Sequence, residues 1–254
     1  MQYEPRQPDP VDPSGAGPFS RQVGGVEGAQ RHALEDKLAL LRRRLIRQAT
    51  LATGMLETAL ESLWSLDAAL VAEVLRRDDQ IDLEEVLLEE ACFELLALQK
   101  PFARDFRGIT FILKVNGDVE RVADHACSIA KSARKLSGGS EVCWPTALRE
   151  MGERVPMQCH ALLRAVVAED IEQARELVLG DKTIDKLDKQ LFRECAALIE
   201  RDPSRAEQGL RIARIGRDLE RIGDLMANIA EDVVYLATGT IIRHEKRKQG
   251  PRPA

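Results

Sequence analysis

The sequence predicts an all-α protein built as two tandem, internally duplicated three-helix bundles. Three observations carry that prediction. The heptapeptide Asp118-Val119-Glu120-Arg121-Val122-Ala123-Asp124 recurs as Asp218-Leu219-Glu220-Arg221-Ile222-Gly223-Asp224, 100 residues later. Apolar residues return every three or four positions over long stretches, the helical period. No alternating apolar run bounded by turn residues suggests a strand. A spacing of 100 residues is too long for a solenoid and indicates a duplicated unit.

The elements follow in order. Residues 1–28 hold five prolines and five glycines without apolar periodicity, and read as a disordered extension. From about Ala29 to Leu66, the residues Leu34, Leu38, Leu41, Leu45, Ala52, Leu56, Leu60 and Leu63 mark one face of a long helix. Asp67 is the expected N-cap of a second helix or kinked pair, which ends near Gln99 before Pro101. A third helix runs from about Ala103 to Leu136 and stops at Gly138-Gly139. The second half repeats the plan. A fourth helix spans about Trp144 to Ala168, and Asp170 stands where Asp67 stood, 103 residues on. A fifth reaches about Arg201, and a sixth runs from about Ser204 to Thr238. At the same offset Asp78, Ile81, Asp82 and Cys92 answer to Asp181, Ile184, Asp185 and Cys195. The bundles therefore occupy 29–139 and 140–240, with a basic flexible tail over 241–254.

Composition excludes several function classes. A net charge of −5 gives no electrostatic ground for non-specific nucleic-acid binding. The five cysteines form no C-x-x-C pair and read as buried, reduced thiols. No apolar run is long enough to span a membrane, and the start lacks a signal-peptide core, so a cytoplasmic protein is expected. Walker A, Rossmann, G-x-S-x-G and H-E-x-x-H patterns are absent.

The acids carry the functional signal. Glu120 and Asp124 project together from the flank of the third helix, beside the core stripe of Ile112, Val115, Val119, Val122, Ala126 and Ile129. On the second helix Asp78, Asp82, Glu85 and Glu89 form one stripe, which the second unit keeps as Asp181, Asp185 and Asp188, with Phe192 at the fourth place. Like charges four residues apart destabilise a helix by a few tenths of a kcal/mol per pair. Duplicated pairs imply something positive between them, either a hard cation or nearby Arg and Lys on a solvated face. His125 reads as a surface residue of its helix, since Leu225 replaces it in the second unit.

These residues resemble the PhoU family of phosphate-specific transport regulators. The resemblance rests on Asp78-Asp79-Gln80-Ile81-Asp82, Gln99-Lys100-Pro101-Phe102-Ala103-Arg104-Asp105-Phe106-Arg107, the two E-R-x-x-D helices, and the run from Ala227 to Gly239. It implies tandem three-helix bundles and multinuclear clusters of iron or zinc, with Mg²⁺, Mn²⁺ or Ca²⁺ also compatible with the oxygen ligands. Matched residue by residue, one cluster falls on Asp78, Asp82, Glu120 and Asp124, and the other on Asp181, Asp185, Glu220 and Asp224. It further implies a non-enzymatic homodimer that restrains phosphate uptake and the phosphate-starvation response. The implied partners are the ATPase of the phosphate ABC transporter and a sensor histidine kinase. The chain departs from the family pattern at Val122-Ala123, where Ile-Gly is usual, and at Leu225-Met226, where His-Ala is expected. The second departure directly follows Asp224, a residue of the second cluster. The alternative, a carboxylate-bridged metal enzyme of ferritin-like type, normally needs Glu-x-x-His motifs. The residues three before His32, His125, His160 and His244 are Ala29, Val122, Met157 and Ile241.

Overall fold

The computed structural model describes the backbone of residues 18–99, 101–139 and 141–240, and side chains over 31–99, 101–139, 141–178 and 182–240. Six helices follow one another: α1 (Pro18–Ser65), α2 (Ala68–Gln99), α3 (Ala103–Leu136), α4 (Thr146–Ala168), α5 (Ile171–Arg201) and α6 (Ala206–Thr238). A 3₁₀ turn, Pro203–Arg205, leads into α6, and no strand occurs among the described residues. The chain divides into two compact units, residues 1–37 and residues 38–254. In the first, Arg31 and His32 reach Glu35 on the surface. The second holds α1 from Leu38 onward and α2 to α6.

The sequence boundaries hold within a few residues for every helix but the first. Residues 18–28, expected in a disordered extension, are helical here, while residues 1–17 lie outside the described residues. Two causes favour the longer helix. No proline follows Pro18 until Pro101, and adding residues to an existing helix avoids the cost of nucleation. Proline is also well placed at a first helical position. The second segment is one continuous helix and not a kinked pair.

The two helix–helix turns of equivalent position share one device. Leu66 and Glu169, 103 residues apart, both take left-handed backbone, with φ of 55° and 51°. Each is followed by an aspartate that caps the next helix. Asp67 Oδ1 accepts from Ala69 N at 2.7 Å, and Asp170 Oδ1 accepts from Gln173 N at 3.0 Å. Duplication is therefore visible in turn chemistry as well as in the acid motifs.

Within the second unit α2 packs on α3, α4 and α5 on α6, and α3 of one bundle on α6 of the other. The α1 core line of Leu41, Leu45, Met55, Leu56, Ala59 and Leu63 is buried. Trp64 at the end of α1 meets Trp144 before α4 edge to face, centroids 5.1 Å apart. The α3–α6 seam also carries charge. Lys114 Nζ lies 3.3 Å from Asp232 Oδ1, and Ser128 Oγ donates to Asp218 Oδ2 at 2.7 Å. His125 Nδ1 stands 3.0 Å from Asp218 Oδ1. His125 is thus a half-buried residue of the seam and not a free surface histidine, a correction that follows from α6 crossing this flank of α3.

Candidate metal centre

Asp185 of α5 and Glu220 and Asp224 of α6 each offer a carboxylate oxygen within 4.8 Å of the others, and all three residues are half-buried. Among the described residues this is the one such group of three. Helical spacing puts Glu220 above Asp224 on one face of α6, and Asp185 faces them from α5. The side chain of Asp181, the fourth expected ligand, lies outside the described residues. Arg217 reaches Glu220 Oε1 at 3.2 Å and Asp188 Oδ2 at 3.4 Å, and Arg221 Nε stands 3.9 Å from Glu220 Oε2. These cations offset part of the repulsion without satisfying the geometry. Glu220 Oε2 is buried and has no hydrogen-bond partner. Burial, and then Asp224, hold the Glu220 carboxyl above its ordinary range; burial, and then Asp185, do the same to Asp224.

The closeness of α5 and α6 has a sequence cause. Gly209, Gly216 and Gly223 fall seven residues apart on α6 and face α5. A Cβ at Gly216 would lie 2.1 Å from Leu191 Cδ2, and one at Gly209 would lie 2.8 Å from Ile199 Cγ1. At Gly223 the space is ordinary, with Ile184 Cγ2 at 3.5 Å. The equivalent places on α3 are Ile109, Asn116 and Ala123. Side chains stand there in place of the glycine hydrogens, and Asn116 Nδ2 uses its place to donate to Glu85 O on α2 at 2.8 Å.

The first cluster is looser, since no three of its acids offer oxygens mutually within 4.8 Å. Asp78 and Glu120 are half-buried, whereas Asp82 and Asp124 are exposed. The acids nonetheless feel one another. Burial raises Glu120 to about 7, helped by Asp124, Glu85 and Asp82, and burial with Asp78 and Asp124 raises Asp82. Arg217 has no counterpart here, since Gly117 takes its place. Asp78 Oδ1 is a second buried carboxylate oxygen without a hydrogen-bond partner.

A pH dependence follows. Folded Glu120 protonates near pH 7 and the unfolded chain near 4.5, so between those values the folded state holds the extra proton. Stability in chelator is expected to fall as pH rises through this window. Glu120→Gln should flatten that fall, read as the urea midpoint at successive pH values. Solvent screening of a half-exposed group keeps the effect small. An unchanged profile in the variant would remove Glu120 as its source.

Comparison with known proteins gives the lineage. The PhoU domain profile matches residues 45–133 and 148–233, more than half of the chain and once in each bundle. The chain belongs to the PhoU family. It is 32% identical over 210 residues to the phosphate-specific transport system accessory protein PhoU homolog of Deinococcus radiodurans, covering 83% of this chain and 99% of that one. The crystal structure of PhoU from Pseudomonas aeruginosa superimposes with a TM-score of 0.79 at 33% identity, covering 81% of this chain and 99% of that one. The phosphate transport system regulatory protein PhoU from Streptococcus pneumoniae gives 0.75 at 27% identity, with 82% and 99% covered. Tandem all-α bundles are thus the family architecture.

The donor chemistry of the second bundle fits a cation. Three carboxylates with one buried oxygen that accepts no hydrogen bond suit a hard ion such as Mg²⁺, Mn²⁺ or Ca²⁺, or iron in carboxylate-rich form. Soft thiolate ligation is not offered. Cys92 and Cys195 are pushed up to about 11, and Cys127 and Cys159 to about 12, each by burial first. Four of the cysteines are buried, and Cys143 is exposed. Sequence reasoning passed over Arg217, the Gly209–Gly216–Gly223 line and the seam residues Asp218 and Ser128. The seven-residue glycine spacing was the available signal for close helix packing. No pattern along the chain announced which flank of α3 would meet α6.

Proposed function

We propose that this protein is a cytoplasmic negative regulator of phosphate uptake and of the phosphate-starvation response. In this reading it acts as a metal-binding adaptor between the ATPase of the phosphate ABC transporter and a sensor histidine kinase, works as a homodimer and catalyses no reaction. The observation that carries the reading is likeness along nearly the whole length of a relative described as a phosphate-specific transport system accessory protein. Asp185, Glu220 and Asp224 would hold a cation in the second bundle, and Asp78, Asp82, Glu120 and Asp124 a second one in the first. A bound cation would draw each acid pair together and fix the outward faces of the helices that carry them. Protein contact is further supported by exposed apolar residues on one arc of α2, Leu83, Val86, Leu87, Phe93 and Leu98, and by Phe102 at 84% exposure. No described helix is long and apolar enough to cross a membrane, so contact with a transporter would be made at its surface.

The test is genetic. Deleting the gene should raise phosphate uptake and starvation-gene expression in high phosphate, and the intact chain should restore restraint. The Glu220→Gln, Asp224→Asn double variant should fold yet fail to restore it. Uptake and expression unchanged by deletion would contradict the regulatory reading. Full restoration by the double variant would separate regulation from the second-bundle site.

A further inference from the structure

The two bundles part company on the outward face of their middle helices. On α5 Lys182, Lys186, Lys189 and Arg193 are spaced as one exposed helical stripe. The equivalent α2 residues, 103 positions earlier, are Asp79, Leu83, Val86 and Glu90. Beside the stripe Phe192 replaces Glu89, and across the groove on α6 Arg217 replaces Gly117. A face that is acidic and apolar in one unit is basic and aromatic in the other.

The change coincides with a groove between α5 and α6 of about 480 Å³, lined by Asp188, Lys189, Leu191, Phe192, Arg193, Ala213 and Arg217. That volume is in the range that small-molecule sites occupy. Phe192 is 69% exposed, although a large aromatic ring gains from burial. Leu191 is buried against α6, and with Ala213 it makes the groove wall apolar. Asp188, the acid of the lining, is paired with Arg217, which Glu220 also holds. Lys189 and Arg193 form no ion pair among the described residues. An aromatic platform flanked by two uncommitted cations suits a flat ring joined to a polyanion.

We propose that this groove binds a nucleotide, with the base stacked on Phe192 and the phosphates held by Lys189 and Arg193. Arginine and lysine supply charge-assisted hydrogen bonds to phosphate oxygens. Base–aromatic stacking supplies the part that inorganic phosphate cannot. Arg217 stays on its carboxylates, so the groove and the acid cluster share a wall without sharing a ligand.

The test is calorimetric titration of the full chain with ADP, pyrophosphate and adenosine in chelator, so that the outcome does not depend on metal binding. ADP should bind more tightly than either part alone. Arg193→Glu should weaken ADP roughly tenfold or more, and Phe192→Ala roughly fivefold or more, through lost phosphate and stacking contacts respectively. Both residues are exposed, and an unchanged thermal transition confirms that each variant is folded. Glu89→Gln, the equivalent place in the first bundle, should leave ADP binding unchanged. No ADP binding at millimolar concentration would overturn the proposal. So would ADP affinity untouched by Arg193→Glu, or pyrophosphate binding as tightly as ADP, which would mean a basic patch alone.

Discussion

Gly216→Asn, which gives α6 the residue that α3 carries at this place, is expected to destabilise the chain by about 1–3 kcal/mol, the usual cost of overpacking. The cause is local. A Cβ at position 216 meets Leu191 Cδ2 at 2.1 Å and Cγ at 3.4 Å, and Leu191 is itself buried. Relief requires the buried Leu191 side chain to leave its place against α6 or α5 to retreat from α6, one turn from Glu220. Cation affinity at Asp185, Glu220 and Asp224 should therefore fall along with stability. Gly223→Ala is the control. The space there accepts a methyl, the first bundle has Ala123, and alanine favours helix by about 1 kcal/mol. Urea midpoints of the two variants should move in opposite directions. Equal shifts would remove the glycine line as the reason that the second cluster is the tighter one.

Glu220→Gln should change stability in opposite senses with and without metal. In chelator the variant loses repulsion from Asp224 and Asp188 and a charge that burial disfavours, so the thermal transition should rise. Part of that gain is offset, because Arg217 and Arg221 lose their carboxylate. With Mn²⁺ in excess the wild-type chain should gain stability by mass action, while the variant should gain little. A variant that gains as much as wild type would return these acids to an ordinary charged face balanced by arginine.

Most of the fold was legible because helix period, proline and glycine act locally. Pro101, Gly138-Gly139 and Asp202-Pro203 mark boundaries that the structure keeps, and Asp67 and Asp170 cap the helices that they were expected to cap. The start of α1 was not legible, since five glycines and five prolines over residues 1–28 outweighed the helix-extending residues after Pro18. The acid pairs were legible as pairs, because spacing by four fixes their common face. Which cluster would close was not. Substitutions at Leu225-Met226 pointed away from the second bundle, while closure depends on helix separation set at Gly209 and Gly216. Asp218 looked like one more motif acid, and its burial, to 8% exposure, appears only when α3 and α6 come together.

Equilibrium dialysis against Mn²⁺ measures cation binding by the second-bundle carboxylates. The chain, purified without an affinity tag and stripped with chelator, is compared with the Glu220→Gln, Asp224→Asn double variant. Saturable binding is expected in the wild-type chain, and the variant should lose at least one equivalent of bound Mn²⁺ per chain. Equal binding by the two proteins, or none by either, would contradict cation binding by these carboxylates.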